Sequence, residues 1–193
     1  TMARKKALLD FSQKHNLKIG TIADLINYRI INEKTVEKID QKSVRTEYGK
    51  FNLILYKDLI FDETHLVLQK GKISKNSPTL VRVQQSNFFH DLLNINEFGA
   101  RWSVSDSMKK INEAGKGIIL LIDGENKKQD EFNEINASKK KRITAPNNDP
   151  RRIGIGSQIL RDLGVQKIKL MGSEVRYPSL SGFDLEVTEY LKK

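Results

Sequence analysis

The chain has 193 residues, of which 34 are Lys or Arg and 24 are Asp or Glu, for a net charge of +10 at neutral pH. Its 38% hydrophobic content suffices for one core with a small appendage, yet no apolar run approaches the roughly 20 residues that span a bilayer. Cysteine is absent, which excludes disulfides and thiolate metal ligands and fits a reducing, cytoplasmic setting. The positive charge should attract anions.

In chain order, Ala7, Leu8, Phe11 and His15 share one face of a helix expected over 3–15. Thr21 is placed to cap a second helix, with Asp24 three residues on and Ile22, Leu25 and Ile26 as its apolar side. Residues 33–45 are polar, show little periodicity and read as a linker. Short β-rich runs follow at 51–56, 65–68 and 79–83. A helix is expected from Ser103 to Ala114, closed by Gly115, and Ile118 to Ile122 reads as a buried strand. Residues 126–148 are highly polar, and Pro146 to Pro150 should be a loop. Gly154 to Gly156 opens a further helix carrying Ile159, Leu160 and Leu163, with Gly164 at its end. Strands at 168–171 and 185–187 complete a mixed α/β pattern.

Several stretches resemble GTP cyclohydrolase II. They are Thr46 to Phe51, His65 to Gly71, Val81-Arg82-Val83, Ser181 to Val187 and, most specifically, Gly154 to Val165. The resemblance covers most of residues 43–193. Residues 1–42, with His15 to Ile19 and Thr21 to Ile26, resemble instead the end of 3,4-dihydroxy-2-butanone 4-phosphate synthase, plus a linker. The first residue is Thr1, which fits a chain cut from something longer. The two likenesses imply the C-terminal part of a bifunctional riboflavin-synthesis protein, a homodimer in contact with a linked synthase domain.

The resemblance also implies chemistry. The family opens the imidazole ring of GTP with a zinc-bound water, whose pKa the metal lowers to about 7. Three cysteines hold that zinc. Their positions here are Asn87, Phe98 and Ala100, with ten residues between the first two and one between the last two. The spacing is kept and the ligands are not, so no zinc or other cofactor is expected, and magnesium only alongside a nucleotide. His90 and Asp91 lie near Asn87, while His15 and His65 lack ligand-like spacing, and His65 reads as a surface or half-buried residue.

The family's nucleotide motif falls on Asp123 to Lys128. Its first arginine is replaced by Asp123; Glu125 persists, and Lys127 offers a point charge without arginine's fork. Ser138 stands at the catalytic tyrosine position. Asp149 and Arg151 match the family's Asp-x-Arg, which would assist proton transfer and meet the α-phosphate; a structural ion pair or helix cap is the plain alternative. Arg82 and Arg176 are the remaining candidate nucleotide contacts. Three functions follow as expectations: a non-catalytic domain serving the synthase, a metal-free enzyme that binds GTP or releases pyrophosphate using Asp149 and Arg151, or a polyanion-binding module. The last lacks an aromatic-rich motif or a strand pattern of stacking residues, so nucleic acid is not an expected partner. No membrane partner is expected either.

Overall fold

The computed structural model describes residues 5–20, 24–25, 28–29, 32–85, 91, 101–122, 150–175 and 177–193. The chain divides into two compact units, Thr1–Glu33 and Lys34–Lys193.

In the first unit, helix α1 spans Lys5–Lys14, within the expected limits. Phe11 and His15, one turn apart, bring their ring centroids to 4.3 Å. Asp24, Leu25, Tyr28, Arg29 and Asn32 are helical, but the proposed cap Thr21 lies outside the described residues. Among the described residues of this unit, Leu8, Leu9, Phe11, Leu17, Ile19, Leu25 and Tyr28 are all exposed.

The second unit is built on one seven-stranded sheet in the order β1-β2-β3-β5-β4-β6-β7. Its strands are β1 (Val36–Thr46), β2 (Gly49–Asp58), β3 (Thr64–Lys70), β4 (Thr79–Gln85), β5 (Gly117–Ile122), β6 (Lys167–Met171) and β7 (Glu186–Leu191). The first three strands and β5 pair antiparallel, while β5, β4, β6 and β7 run parallel. Helices α2 (Val104–Ala114) and α3 (Pro150–Asp162) supply the crossovers. This is the mixed α/β class that the alternation of elements implied.

Two expectations are corrected. The segment read as a linker is β1, paired with β2 from Val36↔Asp58 to Thr46↔Gly49. An edge strand draws its stability from one partner's backbone and leaves most of its side chains in water, so its composition looks like a linker's. The compact unit accordingly starts at Lys34, ahead of the boundary expected at 43. The second correction is the start of α3, at Pro150 rather than at the glycines. Proline lacks the N–H that a first helical residue would leave unused, so it starts a helix well. Gly156 sits inside α3, where a Cβ would come 3.2 Å from Ile122, so this glycine lets the helix lie close on the sheet.

The other helix ends follow local signals. Ser103 caps α2 by accepting the Asp106 N–H, and Gly115 closes it at φ +71. Gly164 ends α3: its N–H donates to Arg161 O and the Val165 N–H to Leu160 O, which satisfies carbonyls the helix would otherwise leave open.

The two sheet faces bury separate cores. Phe51, Leu80, Ile111, Ile119 and Met171 cluster on the α2 side, with Trp102, Met108 and Leu191 packed against them. Ile118, Leu120 and Ile122 alternate to the opposite face, where Gly156 brings α3 against Ile122, Leu120 and Val83.

Candidate functional site

The pairing directions place the C-terminal ends of β2, β4, β5 and β6 and the N-terminal end of β3 along one edge of the sheet. Ligand crevices in α/β folds form at such an edge, where loops leave parallel strands. The chain leaves β4 there toward Asn87, Phe98 and Ala100, leaves β5 toward Lys127, Ser138 and Asp149, and leaves β6 toward Arg176. All of these candidates lie outside the described residues, as do His90 and Glu125. Arg82 and Arg151 are described, and the sheet sets them apart.

Arg151 is in the first turn of α3. Its Nη2 lies 2.5 Å from Glu63 Oε2 and 3.8 Å from Asp58 Oδ2. Its guanidinium carbon stands 3.4 Å from the centre of the Phe61 ring. Both carboxylates come from the β2–β3 hairpin, which is tightly tied. The Asp58 N–H donates to Glu63 O at 2.8 Å and the Asp62 N–H to Asp58 O at 3.0 Å. Asp58 Oδ1 accepts the N–H groups of Ile60 and Phe61. The adjacent Arg152 donates to the Gln85 side-chain oxygen.

His65, expected near the surface, is fully buried. It pairs across the hairpin with Tyr56 on the face that α3 covers, and the half-buried reading failed because strand alternation there turns a polar residue inward. One ligand atom each from Asp58, Glu63 and His65 lie within 4.8 Å of one another, the one such group among the described residues. An oxygen–nitrogen set of this kind could hold a divalent cation. Here, however, Glu63 is already paired with Arg151, and one of the two Asp58 oxygens accepts backbone N–H groups. The Arg151 guanidinium already brings a positive charge to these two carboxylates.

A second polar network ties the start of β1 to α3. Tyr56 Oη donates to Asp162 Oδ2 at 2.7 Å, Lys34 Nζ reaches Asp162 Oδ1 at 2.8 Å, and the Thr35 N–H donates to the Gln158 side-chain oxygen at 2.8 Å. Burial and the Asp162 carboxylate push the Tyr56 phenol above its usual range. Burial acts to raise Asp162, but hydrogen bonds from Lys34 and Tyr56 outweigh it and hold the carboxyl below its ordinary value.

Arg82 lies on the opposite, α2 face, opposite Ile119 in the parallel register. Its three donors reach Gln84 Oε1 at 2.8 Å, Met171 O at 2.9 Å and Trp102 O at 3.1 Å. Burial lowers its pKa to about 10, with Asp91 opposing that shift. Asp91 itself accepts from Gln84 Nε2 and from the Val104 N–H. The arginine thus links β4, β6 and the approach to α2.

Glu63, Asp58, Phe61, Asp162 and Gln158 were not singled out in the sequence. The usable signal was the hairpin register, which opposes Asp58 and Glu63 at the mouth of a five-residue-apart turn closed by Asp62 at φ +60.

Comparison with known proteins adds four matches. The family profile of GTP cyclohydrolase II matches residues 37–192. A Pseudomonas aeruginosa protein named 3,4-dihydroxy-2-butanone 4-phosphate synthase is 44% identical over 99% of this chain and 53% of its own length. The Riboflavin biosynthesis protein RibBA of Aquifex aeolicus is 38% identical over 98% of this chain and 50% of its own. The crystal structure of RibBX, a two-domain 3,4-dihydroxy-2-butanone 4-phosphate synthase from A. baumannii, superposes with a TM-score of 0.65 at 39% identity, covering all of this chain and 51% of that one. The chain therefore spans about half the length of the relatives it matches. Among the described residues, no helix is long and apolar enough to cross a membrane.

Proposed function

Starting from a chain that belongs to the GTP cyclohydrolase II family, we propose that its role in riboflavin biosynthesis is non-catalytic: a GTP cyclohydrolase II-like domain that stabilises or regulates a linked 3,4-dihydroxy-2-butanone 4-phosphate synthase. The observation that carries this reading is a closed family core whose ligand positions have lost their donors. Ile111, Ile119, Phe51 and Met171 are all within 1% of complete burial. Asn87, Phe98 and Ala100, at the three family ligand positions, offer one amide and no thiolate in a chain without cysteine. That donor set does not fit the family's zinc, and no reaction step is routed through it.

The relatives support a link to the synthase. Those from Pseudomonas aeruginosa and Photobacterium phosphoreum, at 44% and 40% identity, are named for the synthase reaction alone, although the stretch they share with this chain includes the cyclohydrolase-like region. They are also about twice as long as the matched region. The exposed Leu8, Leu9, Phe11, Leu17 and Ile19 form the kind of apolar surface that a further domain covers, and in this reading the synthase half of a homodimer covers it. The alternative, a metal-free enzyme releasing pyrophosphate through Asp149 and Arg151, is less well supported because Arg151 is held by Glu63.

The test compares the synthase carrying this chain with a version ending at Glu33. The truncated protein is expected to melt at a lower temperature and to lose dimer mass or synthase rate. Equal activity, stability and dimerisation in the two forms would remove the role proposed.

A further inference from the structure

We propose that Glu63 is a built-in occupant of the Arg151 guanidinium, and that it closes this arginine to oxyanions from solution. The inference rests on the non-catalytic reading above and adds what keeps phosphate groups out. Arg151 is otherwise well made for an oxyanion. Its side chain is 30% exposed, and the Phe61 ring at 3.4 Å fixes the plane of its fork, which lowers the ordering cost of a planar two-point contact.

Glu63 takes one point of that contact, its Oε2 accepting from Arg151 Nη2 at 2.5 Å. Its backbone carbonyl is pinned by the Asp58 N–H at the base of the hairpin. The carboxylate is therefore delivered to the guanidinium by chain geometry, at an effective concentration that a free anion must outcompete. Asp58, 3.8 Å from the same nitrogen and 1% exposed, turns its other oxygen to the Ile60 and Phe61 N–H groups. It shapes the loop that carries Phe61 and Glu63.

Charge points the same way. In this cluster two carboxylates face the one guanidinium of Arg151, so a polyphosphate approaching that arginine meets like charge beside it even on a chain of net charge +10. Neutralising Glu63 balances the cluster and leaves the positive field of the whole chain to draw anions in.

The experiment titrates inorganic pyrophosphate into the purified chain and into Glu63→Gln, Glu63→Ala and the double variant Glu63→Gln/Arg151→Gln, with a thermal melt of each. Both single variants are expected to bind about tenfold more tightly than the unaltered chain, and the double variant to lose that gain. The alanine variant separates charge from the glutamine's remaining hydrogen-bond capacity. Affinities within about twofold of the unaltered chain, or a gain that survives removal of Arg151, would overturn the proposal. Formate release from GTP, followed in parallel, tests the non-catalytic reading separately: its appearance in the unaltered chain would sink that reading and leave the pyrophosphate comparison intact.

Discussion

Protein equilibrated with zinc and then desalted is expected to carry no stoichiometric zinc. In thiolate sites the bond to metal is worth about 10–16 kcal/mol at neutral pH, and nearly all of that requires deprotonated sulfur or imidazole. Asn87, Phe98 and Ala100 provide neither. The one oxygen–nitrogen group among the described residues, Asp58, Glu63 and His65, is already neutralised in part by Arg151. A metal entering there would have to displace a 2.5 Å ion pair and meet a like charge. Elemental analysis of the desalted protein checks this. One zinc per chain would mean that ligands outside the three family positions rebuild a site.

The second large effect is on stability. Arg82→Leu is expected to destabilise the fold by about 2–4 kcal/mol, since each part-buried acceptor left without its donor costs about 1–3 kcal/mol. The leucine would strand the Met171 and Trp102 carbonyls, which now accept from the guanidinium at 2.9 and 3.1 Å. Arg82→Lys should recover only part of the loss, because a single ammonium cannot reach β4, β6 and Trp102 with the geometry of a fork. Chemical denaturation of the three proteins measures it. A loss below about 1 kcal/mol would argue against the structural role. This result also bears on the nucleotide contact that the family resemblance implies for Arg82: an arginine kept for a ligand would lose binding on substitution while the melt stayed nearly unchanged.

Elements with their own punctuation were legible in the sequence. Ser103 and Gly115 bracket α2 as a cap and a left-handed stop, and Ile118 to Ile122 is apolar throughout because both faces of β5 are covered. Strand β1 was illegible because an edge strand with solvated side chains has neither alternation nor hydrophobicity. The start of α3 was misplaced because glycines usually mark boundaries, whereas Gly156 is required by contact with Ile122.

Of the candidate site, the sequence singled out Arg151 and His65 but none of the acidic partners around them. Arg151 stood out by family position, yet its partner Glu63 is 88 residues away and on a different element. No local spacing joins them; only the β2–β3 hairpin and the β5–α3 crossover do. Arg82 likewise read as a nucleotide contact on a strand, and it became a part-buried bracket because alternation on β4 puts it on the α2 side with Leu80.

The most direct test of the central claim is formate release from GTP by the purified chain, with zinc and magnesium supplied. Without a thiolate-held metal, the attacking water keeps a pKa near 15.7 instead of about 7. The account predicts formate indistinguishable from a protein-free control over prolonged incubation. Formate that rises in proportion to protein, and falls when Arg151 is replaced, would contradict it and restore this domain to the family's catalytic members.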